Sequence, residues 1–300
     1  MKIRLGGTVM KLVVIIPTLG RPGIVARLIE ELALQDRLPD KVVIAAPDAS
    51  HLPELAFTPV FPVEHVTGRR GLTAQRNDAM DHVQDDFDII TFLDDDFVPA
   101  RDYLALVEEA FRRKPGWAVV MGHVVEDGAR NEGLDWSKGA ALVRNLPRHL
   151  FEEARVARHV GAYGCNMSIR TRLIGTLRFD ERLVLYGWQE DIDFTSQLRR
   201  RGEVVGVDII RGVHLGIKAG RVSGTRFGYS QVANPVYLVR KGTVPASFAL
   251  PLVLRNLAAN VLRSIRPEPY IDRRGRLRGN LLALGHLLRG RVEPEYIMKL

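Results

Sequence analysis

Residues 89–99 read IITFLDDDFVP, an apolar run that breaks into three consecutive aspartates, Asp94, Asp95 and Asp96. Adjacent carboxylates repel one another unless a cation sits among them or water solvates them well. Hard cations such as Mg²⁺ and Mn²⁺ take a few carboxylate oxygens together with substrate phosphates. In an extended chain Asp94 and Asp96 fall on one side and Asp95 on the other. The i, i+2 pair can therefore share work at one metal–diphosphate–ribose locus. Acidic triplets at loop tips are also commonly just solvated, so the surrounding elements decide between the two readings. Two later acids, Glu190 and Asp191 in GWQED, and one late histidine, His214, are further side chains able to carry protons or hold a metal.

The elements that must position these groups begin with LVVIIP (12–17), KVVIAAP (41–47) and IITFL (89–93). All three are short, apolar and rich in β-branched residues, as strands buried on both faces are. TLGRPG turns the chain after the first, Pro22 suits a helix start, and Ile24, Val25, Leu28, Ile29 and Leu32 follow a helical period. A third unit passes through VEHVTGRRG into LTAQRNDAMDHV. A helix from about Asp102 to Arg113 follows IITFL, and WAVVMGHVV (117–125) reads as one more strand. Strands alternating with helices predict an α/β fold, a doubly wound, mostly parallel sheet with helices on both faces. In such sheets ligands gather at the carboxyl ends of strands, where Thr18, Asp48 and Asp94–Asp96 stand. The triplet would thus face a crevice. No GxGxxG or P-loop follows any strand, so neither a dinucleotide fold nor a Walker NTPase is supported. In the second half, Glu190 and Asp191 open a helix carrying Ile192, Phe194 and Leu198 and ending at Gly202. VVGVDII (204–210) is a short strand, and His214 follows it.

The chain has 300 residues, 46% hydrophobic and 26% charged, ordinary values for a globular protein with a sizeable core. Its net charge of +8 is unevenly spread: residues 255–300 hold ten Lys/Arg against four acids, a surplus of six. Cys165 is the only cysteine, which excludes an intrachain disulfide and a cysteine-built zinc site and fits a reducing, cytoplasmic setting. It is expected to be a buried small residue. The stretch Leu12–Ile16 is too short for a signal-peptide core, and Ala246–Leu262 is interrupted by Arg255, Asn256 and Asn260, against a spanning helix. Met10, followed at once by KLVVIIP, is an alternative start that would leave residues 1–9 little part in the fold. From Ala246 onward two basic amphipathic helices surround a turn at Pro267–Pro269. They suit either peripheral contact with the inner face of a membrane through 246–300 or packing onto the rest of the chain. Their arginines are not interleaved with aromatics, so nucleic acid is not expected as a partner.

Several segments, in order, resemble family 2 inverting glycosyltransferases of the GT-A fold. VVIIPTLGRP resembles their first strand, which ends in Pro-Thr with an Arg soon after. PDAS (47–50) stands where they carry an acidic turn, GLTAQRNDAM (71–80) resembles their Gly-x-x-x-x-Arg-Asn segment, and FLDDDFVP resembles their DxD loop. GCNMSIR, RFDERLVLYGWQEDIDFTSQLRRRG, VHLG and YSQVANPVYLVRKG resemble later segments of the family. The match runs from about Leu12 to Gly242. It implies a catalytic domain over 1–242, with a nucleotide-sugar half at about 10–125 and an acceptor half at 126–242, and a basic helical extension over 243–300. Two departures stand out: Pro47 replaces a usual acid, leaving Asp48 alone for a base contact, and Ala233-Asn234 stands where Arg-Asn is common.

The resemblance implies transfer of a sugar from a UDP-, dTDP- or GDP-linked donor to a glycan or lipid-linked hydroxyl, in bacterial polysaccharide or glycolipid synthesis. It implies Mn²⁺ or Mg²⁺ on Asp96, with His214 as a further ligand on metal or diphosphate, and Asp94 and Asp95 holding the ribose and assisting at the metal. Pro17, Thr18, Arg21, Asp48 and Arg76 would flank the donor. Asp191 would be the catalytic base with Glu190 positioning it or the acceptor, and Trp188 and Asn166 would lie on the acceptor side. An aspartate near its ordinary pKa of ~3.9 is ionised at neutral pH, so this base needs no tuning. Two other readings remain open. One is a non-catalytic nucleotide-sugar-binding relative. The other is a haloacid-dehalogenase-type phosphatase, whose nucleophile loop also follows the pattern Asp94-x-Asp96.

Overall fold

The computed structural model describes residues 9–83, 86–218 and 223–300. Residues 1–8, expected to matter little, lie outside the described residues. Among the described residues nine strands share one sheet: β1 (Leu12–Pro17), β2 (Lys41–Ala46), β3 (Val63–Thr67), β4 (Ile89–Leu93), β5 (Phe97–Pro99), β6 (Trp117–Asp127), β7 (Val156–Arg158), β8 (Asn166–Arg170) and β9 (Glu203–His214). Their order is β3-β2-β1-β4-β8-β6-β9-β5, with β7 paired to β9. The first half is parallel throughout, as expected from its crossover helices α1 (Pro22–Ala33) and α2 (Leu72–Val83). Every residue of β1 and β4 is buried. α1 starts with Pro22 and buries Val25, Leu28, Ile29 and Leu32, the stripe its period predicted.

The sheet is mixed beyond β4, because β8 runs antiparallel between β4 and β6. Its sequence, NMSIR, alternates polar and apolar residues, yet all five are buried. Burial is tolerated because most of the polar atoms are paired, Asn166 Oδ1 being the exception. Ser168 bonds Thr91 at 2.9 Å, and the Arg170 guanidinium donates to the carbonyls of Trp117, Phe111 and Lys114. α3 (Tyr103–Arg113) and α4 (Trp136–Arg144) pack on the sheet, and α5 (Glu190–Leu198) carries the paired acids at its start.

Two registers at the far edge of the sheet fix the place of His214. β5 pairs β9 with Phe97 opposite His214, and β6 pairs β9 with Asp127 opposite His214. His214 is therefore the last residue of a strand twelve residues long, not a loop residue after a shorter one.

The chain closes with α6 (Gly224–Lys241), α7 (Ala246–Arg263) and α8 (Arg273–Leu288). α6 and α8 share a cluster of Tyr229, Val232, Ala233, Ala283, Val292 and Ile297. Bare backbone lets them approach: a Cβ on Gly228 would lie 2.0 Å from the Arg276 carbonyl oxygen, and one on Gly279 would lie 2.1 Å from that of Thr225. The extension is thus packed onto the chain through α6, inside the segment expected to end at 242. No helix of the described residues is long and apolar enough to cross a membrane.

Candidate functional site

β4 ends at Leu93 and the chain turns at once, the Phe97 amide donating to the Asp94 carbonyl at 3.0 Å. This turn sends the three aspartates in different directions. Ligand atoms of Asp94, Asp96 and His214 lie within 4.8 Å of one another, so the i, i+2 pair does converge. Asp94 is the open member, its side chain 27% exposed, whereas Asp96 and His214 are buried. His214 Nε2 is 3.4 Å from Asp96, and Nδ1 is 2.9 Å from Asp127 and 3.2 Å from the Tyr163 hydroxyl. Burial alone would lower the imidazole pKa, but hydrogen bonds to Asp127 and Asp96 outweigh it and raise the group to about 10. For Asp96, burial pushes up but His214, Arg21 and the Ile217 amide hold its carboxyl below the usual range.

Asp95 goes the other way. It accepts from Thr18 Oγ1 at 2.7 Å and from Arg21 at 2.8 Å, and burial, aided by Asp96, raises its pKa against both. Its carboxylate is therefore already engaged within the protein, unlike the ribose-facing group expected. Thr18 and the buried Pro17 are held where β1 ends. Gln75 on α2 donates to the carbonyls of Thr18 and Ala45 at 2.8 Å each. Asp48 is exposed at the end of β2 and accepts from the Ser50 amide at 2.9 Å, which together with the Ser50 hydroxyl lowers its pKa.

Arg76 joins this cluster to the second half of the chain. It is 1% exposed, lies over the rings of Phe92 and Phe179, and donates to Glu190 at 2.5 Å, Asp94 at 3.1 Å and the Gly164 carbonyl at 3.1 Å. Arg76 thus meets the cluster from beneath, through two carboxylates. Gly164 in turn donates its amide to Asp191 at 2.7 Å, and the Asp94 amide donates to the Cys165 carbonyl. Asp191 also accepts from the Ile192 amide. Burial raises the pKa of Asp191, with Arg76 and these amides opposing, so the base candidate is tuned after all. Glu190 is raised further, by burial and by Asp191, against Arg76.

The turn before Glu190 is unusual. Leu185 and Gln189 both adopt left-handed backbone conformations, at φ 61° and 75°, with Gly187 at 64° between them. Such conformations store strain for residues with a Cβ and gather at functional sites. Trp188 sits in this turn, partly exposed, its carbonyl held by Asn234 of α6 at 2.7 Å and its ring 5.8 Å from Phe227. Asn166, expected on the acceptor side, is fully buried and donates to the Gly122 carbonyl at 3.1 Å, which ties it to the sheet beneath. Cys165 is buried, as expected. Sequence reasoning missed Asp127, Tyr163, Gln75 and the contact made by Asn234.

The donor set of two carboxylates and an imidazole suits a divalent cation. The imidazole, whose carboxylate neighbours favour its protonated form, would give up that proton to the ion. An imidazole whose second nitrogen faces a carboxylate is also how metal-binding histidines are usually oriented. The phosphatase reading loses its support here, because Asp94 pairs with Arg76 and the distal acids begin a helix. Two cavities, of about 390 and 620 Å³, lie elsewhere, one beside Arg101 and Arg211 and the other between Pro53 and His65.

Among solved structures, S. aureus TarS 1-349 in complex with UDP-GlcNAc matches at TM-score 0.56 and 15% identity, over 94% of this chain and 82% of that one. The mannosyltransferase PcManGT from Pyrobaculum calidifontis, in complex with GDP-Man and Mn²⁺, matches at 0.52 and 16%, over 96% and 85%. GalNAc-T7 with UDP, GalNAc and Mn²⁺ matches at 0.54 and 14%, over 98% of this chain and 57% of that one. These likenesses establish the fold. No curated protein matches the chain in sequence. The sequence profile of glycosyl transferase family 2 matches residues 13–171, more than half of the chain. With the GT-A arrangement of its sheet and the acidic turn at the end of β4, the chain belongs to glycosyl transferase family 2.

Proposed function

We propose that this glycosyltransferase moves a sugar from a nucleoside diphosphate to an acceptor hydroxyl with inversion, in one in-line step that depends on Mn²⁺ or Mg²⁺. The observation that carries this reading is the double contact of Arg76 with Asp94 and Glu190, which ties the cation cluster to the neighbour of the base at the start of α5. Asp94, Asp96 and His214 would hold the cation, which neutralises charge on the departing diphosphate. Asp127 orients His214, and Asp95 acts by fixing Thr18 and Arg21 at the end of β1. Asp48, exposed at the end of β2, would meet the nucleobase.

The acceptor oxygen attacks the anomeric carbon from the face opposite the diphosphate. As that bond forms, the carbon–oxygen bond to the diphosphate breaks and its electron pair leaves with the diphosphate. The hydroxyl proton passes to Asp191, whose raised pKa makes it a stronger base than an ordinary aspartate, with Arg76 opposing the rise. Glu190 positions Arg76 and the start of α5. Trp188 offers an apolar ring to the acceptor, a glycan or lipid-linked hydroxyl of the kind built into bacterial polysaccharides and glycolipids. The two halves, about 10–125 and 126–242, divide donor from acceptor along the Asp94–Arg76–Glu190 line.

A thermal-shift panel of UDP, GDP, dTDP and their sugar conjugates, with and without Mn²⁺, tests the reading. Stabilisation by at least one nucleotide only when the metal is present is expected. Indifference to every nucleotide, or equal stabilisation without metal, sinks it.

A further inference from the structure

α7 reads ASFALPLVLRNLAANVLR and carries its polarity the wrong way round for a helix of a water-soluble surface. The stripe that faces the protein runs through Ala249, Val253, Asn256 and Asn260 at i, i+4, i+7 and i+11. Asn260 is fully buried, donating to Gln231 of α6 and Asn280 of α8 at 2.8 Å each and accepting from Arg273. One residue further on, Leu250, Leu254 and Val261 are exposed, and Leu262 and Ile265 widen the stripe. Leu254 is 54% exposed, Leu262 72% and Ile265 80%. Only Ala249 and Asn260 of the helix are buried. α7 is therefore held by side-chain amides together with Phe248, Ala249 and Val253, and presents most of its leucines outward, over a helix ~27 Å long.

The charge beside this stripe is of one sign. α7 contains no acid, and Arg255, Arg266 and Arg278 are exposed with no carboxylate partner among the described residues. The nearest acids are occupied: Glu268 binds Arg263 and Arg273, and Asp272 caps α8 through the Gly275 amide. A second copy of the chain on this face would set arginines against arginines across an isologous contact. An anionic bilayer complements both features, taking the leucines between its headgroups and the guanidinium groups onto its phosphates.

We infer that α7, with its Arg255 and with Arg266 of the α7–α8 turn, docks the protein on an anionic lipid surface, lying in the plane of the headgroups. The inference goes beyond the transferase reading and does not depend on it. It adds to that reading where the acceptor is lipid-linked, because α6, to which α7 is pinned, also holds the Trp188 carbonyl.

Cosedimentation of the full chain with vesicles tests this without any turnover. Binding is expected to vesicles of phosphatidylcholine mixed with phosphatidylglycerol, and to fall sharply on pure phosphatidylcholine and at high salt. Leu254→Ser with Leu262→Ser should lower the bound fraction about tenfold or more, with an unchanged thermal melt because both side chains are exposed. A second variant, Arg255→Gln with Arg266→Gln, should lose the preference for phosphatidylglycerol. Failure to bind the anionic vesicles, or binding indifferent to both variants, overturns the inference. So does a wild-type dimer in analytical ultracentrifugation that the leucine variant dissociates, since the face would then belong to a second copy.

Discussion

Replacing Arg76 by methionine removes the cation that faces both Asp94 and Glu190, while keeping an unbranched, though shorter, side chain beside Phe92 and Phe179. Taking one partner from a buried pair costs about 3–5 kcal/mol, since Glu190 would be left enclosed beside Asp191 with no compensation. Spread over 300 residues at ~2.1 cal/mol/K each, that is a fall in Tm of roughly 5–8 °C. The pH dependence is the sharper test. Glu190 and Asp191 already have folded pKa values above their unfolded ones, and loss of Arg76 raises them further. Between the wild-type folded pKa values and the still higher ones of the variant, the wild-type carboxyls ionise while the variant's resist, so the deficit grows with pH across that window. Chemical denaturation of wild type and Arg76→Met should therefore show a full deficit at pH 8 and a clearly smaller one at pH 5. Arg76→Lys keeps the charge but not the fork, and should recover only part of the loss. A deficit no larger than that of a surface substitution, ~0.5 kcal/mol, or one equal at both pH values, would refute the argument that this arginine binds the two carboxylates into a unit.

Asp191→Asn should lower turnover by about 10²–10⁴-fold while leaving donor-induced thermal stabilisation intact; loss of donor binding in that variant would remove Asp191 from the role of base. In the wild type, burial places the acid limb of kcat above the ordinary aspartate range, so activity should begin to fall at a higher pH than ~3.9 predicts, which a pH–rate profile checks. Asp127→Asn should weaken Mn²⁺ binding about 10–100-fold in calorimetry with the nucleotide present, since it no longer sets the imidazole of His214; an unchanged affinity would put His214 outside the cation site. Gly279→Ala should destabilise by at least the ~1–3 kcal/mol of core overpacking, whereas Gly285→Ala, which meets only the flexible Arg289 side chain at 3.4 Å, should be neutral or stabilising in the same melt.

The parallel half of the sheet was legible because burial on both faces forces continuous apolar runs, and those runs end at Thr18, Asp48 and Asp94 by construction. Asp94 and Asp96 do converge, but through the turn closed by the Phe97 amide and not through alternation along an extended chain. What composition could not reveal was pairing. β8 hides because Asn166, Ser168 and Arg170 look like surface residues until their partners on β4 and β6 are known. Asp127 is one acid in a polar stretch, and only the register that sets it opposite His214 gives it a meaning. The direction of Asp95 was likewise set from outside its own segment, by Thr18 and Arg21 across the crevice. α6 was recognisable as a family segment but not as a helix packed against the extension, because Ser230, Gln231 and Asn234 are buried polar residues.

The meeting of α6 and α8 at Gly228 and Gly279 has a mechanical consequence. Side chains between two helices act as bearings: they yield by changing rotamer and let one helix turn or slide a little against the other. Here peptide groups touch with nothing between them, and a small rotation of α8 would drive one backbone into the other. The pair can separate or stay, but it cannot creep. α6 reaches the Trp188 carbonyl through Asn234, and α8 reaches α7 through Asn280. A push on α7 therefore reaches the strained turn ahead of Glu190 through Asn280 and Asn234, across two helices that cannot slide on each other at their glycine crossing.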